Sequence, residues 1–110
     1  MKIYISGKIT GLLPEEYRPL FDEAEFNLKL AGFNDIVNPT RLGIDPREDW
    51  KTAMDVCMPA LEKCDAIYML ENWQQSFGAR RELTRAMEKR FTVVFAPDGV
   101  ENLKQVRKTG

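Results

Sequence analysis

Residues 64–95, CDAIYMLENWQQSFGARRELTRAMEKRFTVVF, decide the fold of this chain. Residues 66–70 are apolar throughout, which is typical of a strand that is covered on both faces. Residues from about 77 to 89 are predicted to form a helix, and the β-branched run at 92–95 predicts another strand. A strand, a helix and a strand in this order indicate a right-handed crossover between parallel strands.

The rest of the chain continues this alternation. Further strands are predicted at residues 2–6 and 35–38, and further helices at 14–31, at 50–64 and, as a short terminal element, at 99–108. We therefore expect one domain over residues 1–110 with a small three-layer α/β fold. Its parallel sheet should have about four to five strands with flanking helices, as in Rossmann-like and flavodoxin-like folds.

The composition limits the classes of protein that fit. A chain of 110 residues and 12.7 kDa is long enough for one compact domain, with little reserve of core, so we expect a homodimer or a larger homo-oligomer. The 16 basic and 17 acidic residues give a formal charge of −1, which argues against a nucleic-acid partner. No apolar run is long enough to span a bilayer, so no membrane partner is expected.

The chain contains no histidine. This excludes histidine-dependent nucleophile systems and histidine-ligated zinc, so any catalysis must use carboxylates, Lys, Tyr, Cys or backbone donors. Cys57 and Cys64 are seven residues apart in a predicted helix, a rise of ~10 Å that exceeds the ~7 Å limit for a disulfide. We interpret both as reduced core thiols of a cytoplasmic protein, and Cys57 as too apolar in its surroundings to act as a nucleophile.

Polar, glycine-bearing loops follow the apolar strands, and parallel sheets bind ligands at this edge. The first loop, SGKITG at residues 6–11, offers backbone N–H groups for an anion, and Lys8 and Thr10 add donors. The alternative interpretation is a tight turn between strand and helix that binds no ligand, and the sequence of this loop alone favours that interpretation. Asn38 ends the second strand, and residues 71–76 follow the third.

Ser76 is predicted to cap the third helix, and Gly78 and Ala79 leave room for a ligand to approach the helix start. Glu82 follows six residues after Ser76. Near a helix N-terminus its carboxylate is expected to stay ionised and to suit a nucleophile or a binding group. The alternative is a surface acid paired with Arg81 or Arg85, and spacing alone favours that ion pair.

Two further features have alternative interpretations. Trp50 and Trp73 could stack on a base or a sugar, but single tryptophans more often belong to the core or its rim. Residues 80–90 contain five basic and two acidic side chains, whereas residues 15–25 contain five acidic and one basic. This asymmetry indicates two solvated helix faces, which could meet across a dimer, rather than a nucleic-acid surface.

Four segments together resemble the nucleoside 2-deoxyribosyltransferase-like superfamily: KIYISGKITG (2–11), VNP (37–39), CDAIYML (64–70) and NWQQSFGARRE (72–82). The last two are the specific ones. The closest resemblance is to a small uncharacterised branch, a family of unknown function frequent in phages and prophages. It covers roughly residues 1–95.

The resemblance implies an enzyme acting on the N-glycosidic bond of a nucleoside or nucleoside 5′-monophosphate, as a hydrolase or a transferase. Its S-x-G-x-x-x-E pattern falls on Ser76, Gly78 and Glu82, which makes Glu82 the nucleophile on the anomeric carbon and Ser76 a ligand of phosphate or sugar hydroxyl. The predicted substrate-binding set is Ser6, Gly7, Lys8, Gly11, Asn38, Trp73, Ser76 and Gly78. No metal and no organic cofactor is required.

One position departs from the superfamily pattern. Where its members usually carry an aspartate on the helix before the third strand, this chain has Cys57. Asp55 is two residues away and therefore about 200° around the helix. Two alternatives to an enzyme thus stay open: a nucleotide-binding module without turnover, and a phage-encoded interaction protein that retains the fold.

Overall fold

The computed structural model describes residues 1–45, 47 and 49–109, and side chains within this set except at 50 and 107–109. Within it, four strands form one parallel sheet in the order β2-β1-β3-β4. The strands are β1 (Ile3–Ser6), β2 (Ile36–Val37), β3 (Ala66–Met69) and β4 (Thr92–Phe95). The predicted parallel α/β fold is confirmed, and the order is that of flavodoxin-like folds up to the fourth strand.

Helices cover both faces of this sheet. They are α1 (Pro14–Leu30), α2 (Trp50–Glu62), α3 (Phe77–Glu88) and α4 (Gly99–Thr109). Ile3 and Ile5 of β1 pack in the cluster that contains α1 and α4, whereas Tyr4 packs with α2 and α3. Successive strand residues point to opposite faces, so one apolar strand supplies both cores of a three-layer domain. The side chain of Trp50 lies outside the described part of the chain.

The first helix forms where the periodicity predicts it. Pro14 occupies the first turn, and Tyr17, Phe21, Ala24 and Leu28 form its buried stripe. The opposite side of the helix is acidic and exposed. Two short 3₁₀ helices, Pro39–Arg41 and Trp73–Gln75, occupy loops for which no helix was predicted. No helix in the described residues is both long and apolar enough to cross a membrane.

The strand order opens a crevice at one edge of the sheet. The chain leaves β1 toward β2 on one side and leaves β3 toward β4 on the other, so the loops after β1 and β3 diverge. Near their origin the two loops touch: a Cβ on Gly7 would lie 2.7 Å from Leu70 Cδ1. The Lys8 N–H also donates to Asn72 Oδ1 at 3.0 Å. A side chain at position 7 would require Leu70 to shift, so glycine suits this approach.

Two phenylalanines of α1 test which face of the helix stabilises the fold. Phe21 is 0% exposed and Phe26 is 61% exposed. We expect Phe21→Ala to lower the free energy of unfolding by about 3–5 kcal/mol, because it removes buried area and leaves a cavity. The same change at Phe26 should stay within about 0.5 kcal/mol of wild type. Urea denaturation of the three proteins measures this, and equal losses would contradict the assigned packing.

Candidate functional site

The centre of the candidate site is the carboxylate of Glu82, which is only 4% exposed although it belongs to a charged helix. It lies in the second turn of α3 and meets two hydroxyls of β1. Ser6 Oγ donates to Oε1 at 2.7 Å, and Tyr4 Oη donates to Oε2 at 2.5 Å. Tyr4 and Ser6 are two residues apart, so the strand presents both on the α3 face.

The alternative interpretation of Glu82 as a surface acid is therefore wrong. Arg85 instead pairs with Glu62 of α2, with Nε 2.6 Å from Oε1. Glu82 forms no ion pair with any cation of the described residues. The arginines of α3 thus lie on its outer side, whereas Glu82 lies on the side that faces the sheet.

Burial raises the pKa of Glu82 to about 7, although the hydrogen bonds from Tyr4 and Ser6 act in the opposite direction. Two neutral donors compensate a buried charge less than a cation would. The sequence predicted a carboxylate that stays ionised. In the folded protein the group instead divides between its two protonation states near neutral pH, as expected for a carboxyl that can exchange a proton.

Glu82 borders a cavity of about 230 Å³ at the crevice between the loops after β1 and β3. Its polar lining comes from Lys8 and Thr10 of the first loop and from Gln75 and Ser76 before α3. The remaining wall is largely apolar and includes Ile9, Pro39, Ile44, Ala53, Met54 and Phe77. Among the described residues that line the cavity, Glu82 is the only carboxylate and Lys8 the only cation.

The start of α3 faces this cavity as the sequence predicted. Ser76 caps the helix, its Oγ accepting from the Ala79 N–H at 3.1 Å. The Ser76 hydroxyl still has its own hydrogen to donate to a ligand. Gly78 is buried beside α2, and a Cβ there would lie 3.0 Å from Met54 Cε. Because Gly78 has no side chain, Met54 of α2, which lines the cavity, packs close to the start of α3.

Cys57 approaches the same carboxylate from α2. Its side chain is buried and lines the cavity, and Cys57 interacts with both Tyr4 and Glu82. Burial above all, and then the charge of Glu82, raise the pKa of the thiol to about 11, while hydrogen bonding with Tyr4 acts to lower it. The thiol is thus neutral, as predicted. Cys57 and Cys64 are both unpaired, also as predicted.

The structure brings five of the predicted site residues together: Gly7, Lys8, Ser76, Gly78 and Glu82 all line the cavity. Ser6 lies directly beneath them, fully buried, and reaches the cavity through its hydrogen bond to Glu82. Its position makes it a support for the carboxylate.

Asn38 lies in a separate polar cluster. Its Nδ2 donates to Asp22 Oδ1 at 2.9 Å and to Glu25 Oε1 at 3.0 Å, and its Oδ1 accepts from the Thr40 N–H at 3.1 Å. These bonds connect the end of β2 to α1 and to the 3₁₀ helix that follows. Asn38 is therefore outside the cavity lining.

Gly11 and Trp73 also lie outside the lining. Gly11 adopts a φ of +89°, a left-handed conformation that favours glycine in the turn before α1. Trp73 is half-buried, and its ring centroid lies 5.7 Å from that of Phe95 at the end of β4. Its indole thus packs at the rim of the sheet.

Tyr4 is the main residue that sequence reasoning missed. Its signal was available: a buried tyrosine needs a partner for its hydroxyl, and Tyr4 shares a strand face with Ser6. Burial raises its pKa well above the usual value, with Glu82 and Cys57 acting in the same direction, so the phenol stays protonated and donates. No group of three or more potential metal ligands occurs among the described residues.

Comparison with known families adds one finding. The family described as "Domain of unknown function (DUF4406)" matches residues 1–95 of the chain. This range contains β1 to β4 and the whole cavity lining. The comparisons with curated proteins and with solved structures give no match.

The pKa of Glu82 predicts how stability depends on pH. Its folded-state value of about 7 lies above the ordinary 4.5, so folding favours the protonated form. The stability that this proton contributes is complete below pH 4.5 and is lost as the pH rises through 7. Glu82→Gln is neutral throughout and keeps the shape, and Tyr4 and Cys57, which face it, remain protonated in this range.

The melting temperature of Glu82→Gln minus that of wild type should therefore increase between about pH 5 and pH 8. For a domain of this size each kcal/mol corresponds to roughly 4–8 °C. Differential scanning calorimetry across this range gives the difference. Glu88→Gln, on the exposed side of the same helix, is the matched control and should leave the difference flat. A flat difference for Glu82→Gln as well would contradict the assigned pKa.

Proposed function

The chain belongs to the DUF4406 family, and we propose that it cleaves the N-glycosidic bond of a nucleoside or nucleoside 5′-monophosphate with Glu82 as the nucleophile. One observation carries this proposal: the buried carboxylate of Glu82, which pairs with no cation of the described residues, borders a cavity at the carboxyl edge of a parallel sheet. The resemblance to the nucleoside 2-deoxyribosyltransferase-like superfamily, with its branch in phages and prophages, supports it.

The reaction needs little beyond such a carboxylate. Ionised Glu82 attacks the anomeric carbon of the sugar while the carbon–nitrogen bond breaks. The bonding electrons go to the departing base, which takes up a proton from water. The transition state resembles an oxocarbenium ion, which an adjacent negative charge stabilises. The resulting glycosyl ester of Glu82 is then cleaved by water, which gives a hydrolase, or by a second base, which gives a transferase.

Tyr4 and Ser6 support this role by fixing the carboxylate. Each of their hydroxyls binds a different oxygen of Glu82, which restricts rotation of the carboxylate, and each oxygen keeps a further lone pair. A nucleophile held in one orientation avoids part of the entropy cost of reaching the reactive geometry. Tyr4 and Ser6 are positioning residues, since their hydroxyls bind the carboxylate itself.

The substrate groups around the sugar would bind at the polar side of the cavity. Lys8 supplies a positive charge, and Gly7, Ser76 and Gly78 leave backbone and hydroxyl donors close to the ligand. This set suits a 5′-phosphate or a sugar hydroxyl. The mainly apolar remainder of the wall suits a base, whose faces are poorly hydrated.

A binding module without turnover is the second candidate, and Cys57 favours it. The α2 wall beside Glu82 consists of Ala53, Met54 and Cys57, and the thiol is neutral. These described residues offer no second carboxylate to orient the sugar or to protonate the departing base. A nucleotide would then be held at the same place without cleavage.

A small nucleoside or nucleotide is thus the proposed partner, with a homodimer or larger homo-oligomer as the assembly. The size of the chain supports self-association, because a domain of 110 residues buries a limited core. A cytoplasmic location is also part of the proposal, supported by the unpaired thiols of Cys57 and Cys64.

Replacing the nucleophile tests the chemistry directly. Glu82→Gln should lower base release from the preferred nucleotide by about a thousandfold or more, since the covalent step is lost. Glu88→Gln on the same helix should keep full activity. Chromatography of free base over a panel of nucleosides and 5′-monophosphates gives the rates, and a second base as acceptor separates transferase from hydrolase. Saturable binding without any product would favour the binding module, and equal activity of Glu82→Gln would sink the assignment.

Lys8 tests the recognition of phosphate. Lys8→Ala should weaken binding of a nucleoside 5′-monophosphate by about tenfold and leave the matching nucleoside within about twofold, because a charge-assisted contact is lost. Lys63→Ala, an exposed lysine at the end of α2, carries the same change in charge away from the cavity. Calorimetric titrations compare the variants. Equal losses for nucleoside and nucleotide would show that Lys8 does not meet the phosphate.

A further inference from the structure

A second concave surface adjoins the cavity at the first turn of α3. It is a groove of about 380 Å³ between α2 and α3, with Met58 and Phe77 as its apolar part. Phe77 lines both the cavity and this groove, and it is 61% exposed. The cavity and the groove are therefore neighbours that share the Phe77 side chain as a wall.

The groove is strongly basic in a protein whose net charge is −1. Its charged lining consists of Arg80, Arg81, Arg85 and Glu88. Arg85 is bound to Glu62 and lies near Glu88, so its charge is compensated. Arg80 and Arg81 form no ion pair with an acidic side chain of the described residues. Within the described part of the chain, two exposed guanidinium groups thus line the groove without an acidic partner.

Arg80 is also held in a defined position. Its guanidinium carbon lies 4.6 Å from the centroid of the Phe77 ring. The contact places the cation over the Phe77 ring, and the guanidinium carries five N–H donors that lie in its own plane. The contact with Phe77 restricts the conformations of the Arg80 side chain before a ligand binds. Binding an anion there therefore costs less conformational entropy. Phosphate matches this planar set of donors better than a single carbonyl or hydroxyl does.

We propose that the groove of Met58, Phe77, Arg80, Arg81 and Thr84 binds phosphate groups that extend beyond the reacting nucleoside. The ligand would be a nucleoside polyphosphate or a pyrophosphate-linked dinucleotide, which share a phosphoanion tethered to the nucleoside. This inference rests on the proposed function, because the cavity at Glu82 holds the nucleoside. It adds a second anion subsite, separate from Lys8, and makes an extended nucleotide the preferred ligand over a monophosphate.

Calorimetric titration with three probes tests the subsite: a nucleoside 5′-monophosphate, the 5′-triphosphate and a 5′,5′-pyrophosphate-linked dinucleotide. Wild type should bind at least one extended probe about tenfold or more tightly than the monophosphate. The double variant Arg80→Ala/Arg81→Ala should lose this gain and bind the monophosphate within about twofold of wild type. The extended probe that shows the gain identifies which of the two ligands the groove takes.

Three variants separate a specific subsite from general attraction. Arg18→Ala, an exposed arginine of α1 in the opposite layer, removes one charge and should leave the gain intact. Arg80→Lys keeps the charge without the planar donors, and Phe77→Leu removes the stacking surface, so each should reduce the gain. Thermal melts of all variants should match wild type, because Phe77, Arg80 and Arg81 are exposed.

Three results would overturn the inference. The first is equal affinity of wild type for all three probes, which would leave the proposed function intact if the monophosphate still binds or is cleaved. The second is an equal loss in Arg18→Ala and in the double variant. The third is a change of oligomeric state in the double variant with unchanged affinities, measured by analytical ultracentrifugation, which would assign the groove to a contact between copies. Failure of every nucleotide to bind would remove the proposed function itself.

Discussion

The burial of Glu82 against the hydroxyls of Tyr4 and Ser6 is the constraint on which the rest of the site depends. A carboxylate can reach a central strand only if the helix that carries it comes close to the sheet, and α3 does so with Gly78 and Ala79 in its first turn. The strand must in turn place two hydroxyls on one face, two residues apart. Burying an acid with neutral donors alone is unfavourable for its charged form, which is why its pKa rises.

A second buried carboxylate shows what a purely structural arrangement looks like. Glu25 of α1 is also buried, and burial acts to raise its pKa. Hydrogen bonds from Lys29 and Asn38 and the charge of Arg41 outweigh that effect, so the pKa of Glu25 is lowered. Glu25 therefore stays ionised and fastens α1 to the end of β2. The two acids differ in their partners, and only Glu82 keeps a proton that it can exchange near neutral pH.

The sequence predicted the fold well because the fold depends on local patterns. Apolar runs, helical spacing and the capping residue Ser76 are properties of short segments, and the observed strands and helices end within a few residues of their predicted bounds. The surroundings of Glu82 and Asn38 depend on tertiary packing, that is, on how each helix and strand is rotated and shifted against its neighbours. Spacing along α3 by itself favours an ion pair of Glu82 with Arg81 or Arg85, and packing against β1 decides otherwise.

The thiol of Cys57 gives the site its last distinctive property. A carboxylate at position 57 would lie beside Tyr4 and Glu82, and two like charges in one buried place oppose each other's ionisation. Protons would then leave such a pair in two coupled steps. With a neutral thiol there, Glu82 titrates as a single group and keeps its charge free of a competing acid. The neutral thiol thus leaves Glu82, oriented by β1, as the one carboxylate among the described residues that line the cavity.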